Sequence, residues 1–184
     1  PINGKTFLEN IVDGYNDIGV SKIAVVLNHL LIPFLPTSIK KNKTVEIIPN
    51  LHPKQGKSYS ILVGLKALQN REFTFIHNVD NPFIESGYLK GMCDQKITDG
   101  YVVPIYHGKR GHPVLISKKV LQSILSKGND FNNLRDELMC FRCVETVTGS
   151  PGILFNENTR KDYEQQVLKN KLSECYWSDE IKTG

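Results

Sequence analysis

The residue best placed for chemistry is Asp80, which directly follows a predicted buried strand over residues 72–79. Asn81-Pro82 then turns the chain, because proline is favoured at the first position of a helix. In parallel α/β sheets, ligands bind beyond the carboxyl ends of the strands. A carboxylate there can hold Mg²⁺, which is commonly bound by one or two carboxylates together with substrate phosphates. The structural alternative is a turn, in which Asp80 hydrogen-bonds nearby amides.

A second candidate ligand for the same cation is Asn158, which stands just before the last predicted helix. Its side chain could supply a neutral oxygen to a hard cation. Asn158 and Thr159 are also ordinary residues with which to cap a helix. Capping alone would explain the segment, so both interpretations stay open.

The segment from Gly108 to Pro113 is a polar loop with two glycines between strand-like segments. Its backbone and the side chains of Lys109 and Arg110 could approach a phosphorylated ligand closely. His112 could act there as an acid, a base or a loop hydrogen-bonding group. The loop is equally a competent hairpin connection.

The segment Gly56-Lys57-Ser58-Tyr59-Ser60 opens a predicted helix. Free backbone amides and hydroxyls at a helix N-terminus can contact a nucleotide. The spacing is not that of a P-loop, and the chain has neither the Gly-x-Gly-x-x-Gly dinucleotide motif nor the Gly-x-Ser-x-Gly nucleophile elbow.

The composition is that of one globular domain. The chain has 184 residues, of which 40% are hydrophobic and 23% are charged, enough to bury a core of its own. Its 23 basic and 19 acidic residues leave a net charge of +4 that is spread along the chain, so no nucleic-acid partner is predicted. The longest apolar stretch, residues 23–35, is interrupted by Asn28, His29 and Pro33, and it is shorter than the roughly 20 residues that a membrane span needs.

Four cysteines are too few and too irregularly spaced for a disulfide framework, which favours a reducing, cytoplasmic location. Cys140 and Cys143 have the spacing of half a zinc site, but no second pair follows. Because that segment is predicted to be a strand, the two thiols should point to opposite faces. We therefore predict no zinc site there.

Helical and strand-like periodicity alternate along the chain. This alternation predicts one three-layer α/β/α domain over residues 1–184 with a mostly parallel sheet. The predicted helices cover residues 6–18, 57–70, 85–93, 118–126, 131–138 and 159–172, and the predicted strands cover residues 22–27, 44–48, 72–79, 100–106, 113–116 and 141–146.

Five segments in this order carry a resemblance that spans nearly the whole chain: Gly4-Lys5, GKSYSILVG continuing to LKAL, HNVDNPFI, VVPIYHGKRGHPVLIS and FNENTRKDY. They resemble the MobA-like nucleotidyltransferases, the molybdenum-cofactor cytidylyl- and guanylyltransferases within the Rossmann-like nucleotide-diphospho-sugar transferase fold. The most specific element is GHPVL at its distance after DNP.

The resemblance implies transfer of a nucleoside monophosphate group from a nucleoside triphosphate to a phosphorylated, molybdopterin-type acceptor, with release of pyrophosphate. It implies an Mg²⁺ site at Asp80 and Asn158. It also implies catalytic roles for Asp80, Lys5 and His112, although Lys5 taken alone reads as an ordinary exposed lysine.

The same resemblance implies two sets of substrate contacts. The nucleotide contacts would be Ser58, Ser60, Gly64 and Asn78, and the acceptor contacts would be Arg110, Gly111 and His112. Base, acceptor and oligomeric state are not predicted.

One departure from the family pattern lies at the front of the sequence. The resemblance implies a first strand and a Gly-rich triphosphate-binding loop before Gly4-Lys5, and nothing in the sequence matches them. We expect either that these elements precede Pro1 or that the protein has lost catalysis. A nucleotide-binding module without activity and a sugar-phosphate nucleotidyltransferase are therefore the alternative functions.

Overall fold

The computed structural model describes residues 4–155. Six α-helices and seven β-strands alternate along this part of the chain, with four short 3-10 segments between them. The helices are α1 (Phe7–Asp17), α2 (Thr37–Lys40), α3 (Gly56–Ala67), α4 (Ser86–Asp94), α5 (Lys118–Lys127) and α6 (Leu134–Leu138). The strands are β1 (Ile23–Asn28), β2 (Val45–Asn50), β3 (Phe73–Ile76), β4 (Gly100–Tyr106), β5 (Lys109–Arg110), β6 (Val114–Ser117) and β7 (Arg142–Val147).

Helix α1 shows how local sequence fixes an element. Thr6 and Glu9 form a reciprocal capping box, in which the Thr6 hydroxyl accepts from the Glu9 amide at 3.2 Å and the Glu9 carboxylate accepts from the Thr6 amide at 2.9 Å. The helix buries Ile11, Val12 and Tyr15 on one face. The prediction of a helix over residues 6–18 is confirmed, whereas the predicted helix over residues 159–172 lies outside the described residues.

The strands form two sheets. In the first, β1 and β2 are parallel, from Ile23 opposite Val45 to Asn28 opposite Asn50. In the second, the order is β3-β6-β4, and both β5 and β7 also pair with β4. Only β7 runs parallel to β4, while the pairings β3-β6, β4-β6 and β4-β5 are antiparallel.

The prediction of a mostly parallel sheet is therefore not confirmed. The physical reason is the length of one connection. Only residues 107–113, which include the two-residue strand β5, lie between β4 and β6. A parallel arrangement requires a crossover of a dozen or more residues, so the chain must return antiparallel.

The predicted three layers are present. Alternate residues of β4 and β6 enter two separate cores, because successive side chains of a strand point to opposite faces. Tyr101 and Val103 pack with helices α3 and α5, and Val102 packs with helices α1 and α4. Helices therefore cover both faces of the larger sheet.

A cavity of about 690 Å³ lies between β1 and β3. Helices α1 and α3 also line it, and its walls are mostly apolar. At one end of β3 the lining becomes polar, where His77, Asn78 and Asp80 border the space. The carboxyl end of β3 therefore opens into a cavity, as expected for a ligand site in an α/β protein.

None of the helices within residues 4–155 has both the length and the hydropathy to cross a membrane. Cys93, Cys140 and Cys143 are free thiols.

Candidate active site at the end of β3

Asp80 lies half-buried in the turn after β3 and borders the cavity. Its Oδ1 atom is buried and has no hydrogen-bond partner among the described residues. An unpaired buried carboxylate oxygen is costly, and a cation or an external donor would satisfy it. The donor type fits Mg²⁺, which prefers carboxylate oxygens. If Asp80 only capped the turn, Oδ1 would be expected to accept a hydrogen bond from a nearby amide, and among the described residues it does not.

His112 lies next to Asn78, with 3.2 Å between His112 Nε2 and the Asn78 side-chain nitrogen. Because an amide nitrogen can only donate, Nε2 of His112 accepts, and the neutral ring carries its proton on Nδ1. That Nδ1 is buried and has no partner within the described chain. His112 therefore presents a donor that is not used by the protein's own groups.

The pKa of His112 is lowered, first by burial and then by the positive charge of Lys57, while the charge of Asp80 opposes both effects. His112 is thus held neutral near pH 7. The charges of both Asp80 and Lys57 therefore act on the His112 ring. Lys57 is exposed in the first turn of α3 and borders the same cavity.

His77 connects the site to helix α1. Its Nδ1 lies 2.9 Å from the Tyr15 hydroxyl, and its Nε2 lies 2.8 Å from the Asn81 carbonyl oxygen. The carbonyl can only accept, so Nε2 carries the proton and Nδ1 accepts from Tyr15. Burial lowers the pKa of His77 to about 4. A neutral imidazole therefore joins α1 to the backbone that follows Asp80.

Asn81 fixes the other side of the turn, and sequence reasoning did not identify it as a site residue. Its side chain is fully buried, and its amide nitrogen donates to the carbonyl oxygens of Ile153 at 3.2 Å and Phe155 at 2.6 Å. A weaker contact reaches the Gly152 carbonyl at 3.4 Å. The Asn-Pro dipeptide predicted a turn, but no sequence signal pointed to these distant partners.

The residues predicted to contact the nucleotide divide into two groups. Ser60, Gly64 and Asn78 line the same cavity as Asp80. The Ser60 hydroxyl accepts from the side chain of the buried Asn50 at 3.0 Å. Ser58 instead donates its hydroxyl hydrogen to the Asn132 carbonyl.

Gly64 also has a packing role, because a Cβ at this position would lie 3.1 Å from a methyl group of Val26. The absence of a side chain thus lets α3 approach β1 closely. Close packing of α3 against β1 is therefore enough to explain the glycine at position 64.

Two cations that were predicted as site residues, Lys5 and Arg110, form ion pairs with carboxylates. Lys5 is exposed and bonds Asp13 of α1 at 2.6 Å. Arg110 is exposed and binds Glu145 of β7 through both Nε and a terminal nitrogen at 2.7 Å. Each cation is accessible to a ligand, but each also forms an ion pair, with Asp13 or with Glu145, that the sequence did not indicate.

Gly111 lies against the segment after β7, where a Cβ would come within 2.3 Å of the Ile153 carbonyl oxygen. The amide of the next residue, His112, donates to that same oxygen at 2.8 Å. The loop of residues 111–113 is therefore packed onto the segment that Asn81 also holds. The peptide bond between His112 and Pro113 is cis.

Asn158, the predicted second metal ligand, lies outside the described residues. Within residues 4–155, no three His, Cys, Asp or Glu side chains converge as a metal-binding group. The groups that do converge are an unpaired carboxylate oxygen on Asp80, an unused imidazole donor on His112 and the exposed ammonium group of Lys57. This combination can hold a divalent cation and an anionic group side by side.

A sequence model of the MobA-like NTP transferase domain matches residues 1–137, about three quarters of the chain. The chain belongs to this family. The resemblance found in the sequence segments is therefore confirmed. Members of the family are nucleotidyltransferases, and both the Asp80 turn and the loop of residues 111–113 lie within the matched residues.

A curated relative is the molybdenum cofactor cytidylyltransferase of Escherichia coli strain K12, which is 25% identical over 119 residues. That match covers 65% of this chain, and the chain spans about 60% of the length of the relative.

Solved structures of similar fold include 4-diphosphocytidyl-2C-methyl-D-erythritol synthase from Anaerococcus prevotii, with a TM-score of 0.73 and 13% identity over 93% of this chain and 88% of the other. The manganese complex of Rv0371c from Mycobacterium tuberculosis has a TM-score of 0.69 and 18% identity. The match covers 92% of this chain and 89% of the other. Molybdopterin-guanine dinucleotide biosynthesis protein A from Archaeoglobus fulgidus has a TM-score of 0.61 and 15% identity. The match covers 89% of this chain and 84% of the other. At these identities, the likeness establishes the α/β fold.

Proposed function

We propose that this domain transfers a nucleoside monophosphate group from a nucleoside triphosphate to a phosphorylated acceptor of the molybdopterin type. The observation that carries the proposal is the buried, unpartnered Oδ1 of Asp80 at the cavity end of β3, in a chain of the MobA-like NTP transferase family. An oxygen of the acceptor phosphate attacks the α-phosphorus, and the bond between that phosphorus and the bridging oxygen of pyrophosphate breaks. The curated cytidylyltransferase relative makes CTP the first donor to test.

Asp80 would hold Mg²⁺, and Asn158 is proposed as a second ligand. When bound, the ion would neutralise charge on the triphosphate and on the departing pyrophosphate. The manganese complex of Rv0371c, a protein of the same fold, supports a divalent ion for this type of protein. No contact among residues 4–155 distinguishes a pterin-type acceptor from a sugar phosphate.

The chain's own residues have separate tasks in this proposal. Lys57 binds phosphate oxygens, since it borders the cavity at the N-terminus of α3. His112 is neutral and donates from Nδ1 to an anionic oxygen. Burial lowers the pKa of His112 and so favours the neutral ring, which suits a hydrogen-bond donor. Positioning and electrostatic stabilisation therefore account for catalysis.

The test replaces Asp80 by asparagine, which keeps the shape of the side chain and removes its charge. Asp99→Asn is the matched control, since Asp99 is an exposed carboxylate on the loop before β4. Binding of Mn²⁺ in the presence of CTP is measured by the electron spin resonance of the free ion, and pyrophosphate release is measured on the same samples.

We expect Asp80→Asn to weaken metal binding and to lower kcat/KM by about 100-fold or more, since loss of even an outer partner of a metal ligand costs about 10 to 100-fold. The control should retain both properties. Metal affinity that is equal in the parent and in Asp80→Asn would overturn the assignment of Asp80. A comparison of pterin-type and sugar-phosphate acceptors identifies the product class, and CTP binding without any product would indicate the non-catalytic alternative.

A further inference from the structure

Asn78 and His112 belong to a closed ring of hydrogen bonds that links three separate segments of the chain. The Asn78 side-chain nitrogen lies 3.2 Å from His112 Nε2, and the Asn78 carbonyl oxygen accepts from the Asn81 amide at 3.1 Å. The Ile153 carbonyl oxygen closes the ring, because it accepts from the His112 amide at 2.8 Å and from the Asn81 side chain at 3.2 Å. The turn after β3, the loop of residues 111–113 and the segment after β7 therefore hold one another in place.

The protein's own groups fix the position of Asn78 in this ring. Its carbonyl oxygen is held by Asn81, which is fully buried and whose own carbonyl oxygen accepts from His77 Nε2 at 2.8 Å. Hydrogen bonds of this kind lock the orientation of the residues that surround a reacting group. Asn78 can therefore direct its side chain at His112 before any substrate binds.

The two partly buried histidines near Asp80 carry their protons on different ring nitrogens. In His77, Nε2 donates to a carbonyl oxygen and Nδ1 accepts from the Tyr15 hydroxyl. In His112, Nε2 faces the side-chain amide nitrogen of Asn78, which can only donate, so the proton of the neutral ring is on Nδ1. Within residues 4–155, Asn78 is the one side chain that hydrogen-bonds the His112 ring. The bond made by one ring nitrogen sets what the other nitrogen can do.

We propose that Asn78 is the positioning residue of His112: its side-chain amide keeps Nε2 as an acceptor and thereby reserves the Nδ1 proton for an anionic oxygen of the substrate. The Nδ1 atom is buried and has no partner within the described chain, so its hydrogen is available. This role differs from the nucleotide contact that the sequence resemblance implied for Asn78. The tautomer follows from the hydrogen-bond geometry alone, whereas its effect on turnover rests on the proposed function.

The first experiment is nitrogen-15 NMR at neutral pH on protein labelled at its five histidines, which shows whether each ring nitrogen carries a proton. His112→Gln and His77→Gln identify the resonances of the two site histidines. In the parent, we expect the proton on Nδ1 of His112 and on Nε2 of His77. In Asn78→Asp, the new carboxylate can only accept, so Nε2 of His112 should become protonated. Asn70→Asp is the matched control, because Asn70 is exposed in the turn before β3, and both rings should stay as in the parent.

The second experiment separates positioning from nucleotide binding by steady-state kinetics with CTP. Asn78→Ala should lower kcat roughly tenfold and leave KM nearly unchanged, since a hydrogen bond to a charged group contributes about that much. In the His112→Ala background, the same substitution should have little further effect, because the two side chains act as a unit. Asn70→Ala should behave as the parent in both backgrounds.

Several results would overturn the proposal. One is a proton on Nε2 of His112 in the parent, and another is an Nε2 that stays unprotonated in Asn78→Asp. A raised KM with unchanged kcat in Asn78→Ala would support a nucleotide contact instead, and full additivity with His112→Ala would exclude action through His112. A parent without transfer activity would contradict the proposed function alone, since the NMR result still decides the role of Asn78.

Discussion

Lowering the pH from 7 to 5 should destabilise this protein through the buried imidazole of His77. The folded pKa of His77 is about 4, compared with an ordinary value of 6.5, because burial opposes the charged ring. A folded pKa below the unfolded one contributes stability above pH 6.5, and this contribution is lost as the pH falls toward 4. The full difference corresponds to about 3 kcal/mol at ~1.36 kcal/mol per pH unit, of which about 2 kcal/mol is lost between pH 7 and pH 5.

The assay is urea denaturation of the parent and of His77→Gln at pH 7 and pH 5. Glutamine does not titrate, and it can accept from Tyr15 and donate to the Asn81 carbonyl. Between pH 7 and pH 5, the free energy of unfolding should fall in both proteins, and we expect the fall to be about 2 kcal/mol smaller in His77→Gln than in the parent. His52→Gln is the matched control, since His52 is exposed, and it should retain the pH dependence of the parent. Equal pH dependence in the parent and in His77→Gln would refute the reasoning.

Two further predictions concern the loop of residues 109–111. Gly111→Ala should lower the free energy of unfolding, measured by urea denaturation, by about 1–3 kcal/mol, because the new Cβ would lie 2.3 Å from the Ile153 carbonyl oxygen. Gly149→Ala is the control, since a Cβ at Gly149 has no neighbour within 4 Å, and it should be close to neutral. Equal effects of the two substitutions would contradict the packing argument. Arg110→Ala and Glu145→Ala should each lower stability by less than about 1 kcal/mol, because both partners of this ion pair are exposed. A double-mutant cycle measures the coupling energy between Arg110 and Glu145. A coupling energy well above about 1 kcal/mol would contradict the expectation for an exposed ion pair.

The fold could be predicted to the level of its layers, because local signals agree with the structure at most elements. The capping pair Thr6 and Glu9 fixes α1, and the apolar run at residues 100–106 is the strand β4. The expectation of a mostly parallel sheet is not confirmed at residues 107–113, because alternation of helices and strands does not reveal that so short a return joins antiparallel strands. Strand β5 has only two residues, which is too short to produce a periodic pattern.

The site was predictable where it depends on residues adjacent in sequence. Asp80 follows a strand and precedes Asn-Pro, and this arrangement alone places it at the strand's carboxyl end. The hydrogen bonds of His77 and Asn81 could not be predicted, because their partners Tyr15 and Phe155 are 62 and 74 residues away in the chain. The charge of Arg110 suggested a phosphate contact, but a single sequence does not show that Glu145 lies beside it.

The buried amide of Asn81 has a thermodynamic consequence for any ligand of Asp80. Asn81 is the next residue in the chain, and it holds the backbone at Ile153 and Phe155 through direct hydrogen bonds. A ligand that restricts Asp80 also restricts the orientation of this amide, and the coupling is reciprocal. We expect anchoring at Phe155 and occupancy at Asp80 to be coupled, so that a spectroscopic label near Phe155 reports ligand binding without touching the ligand.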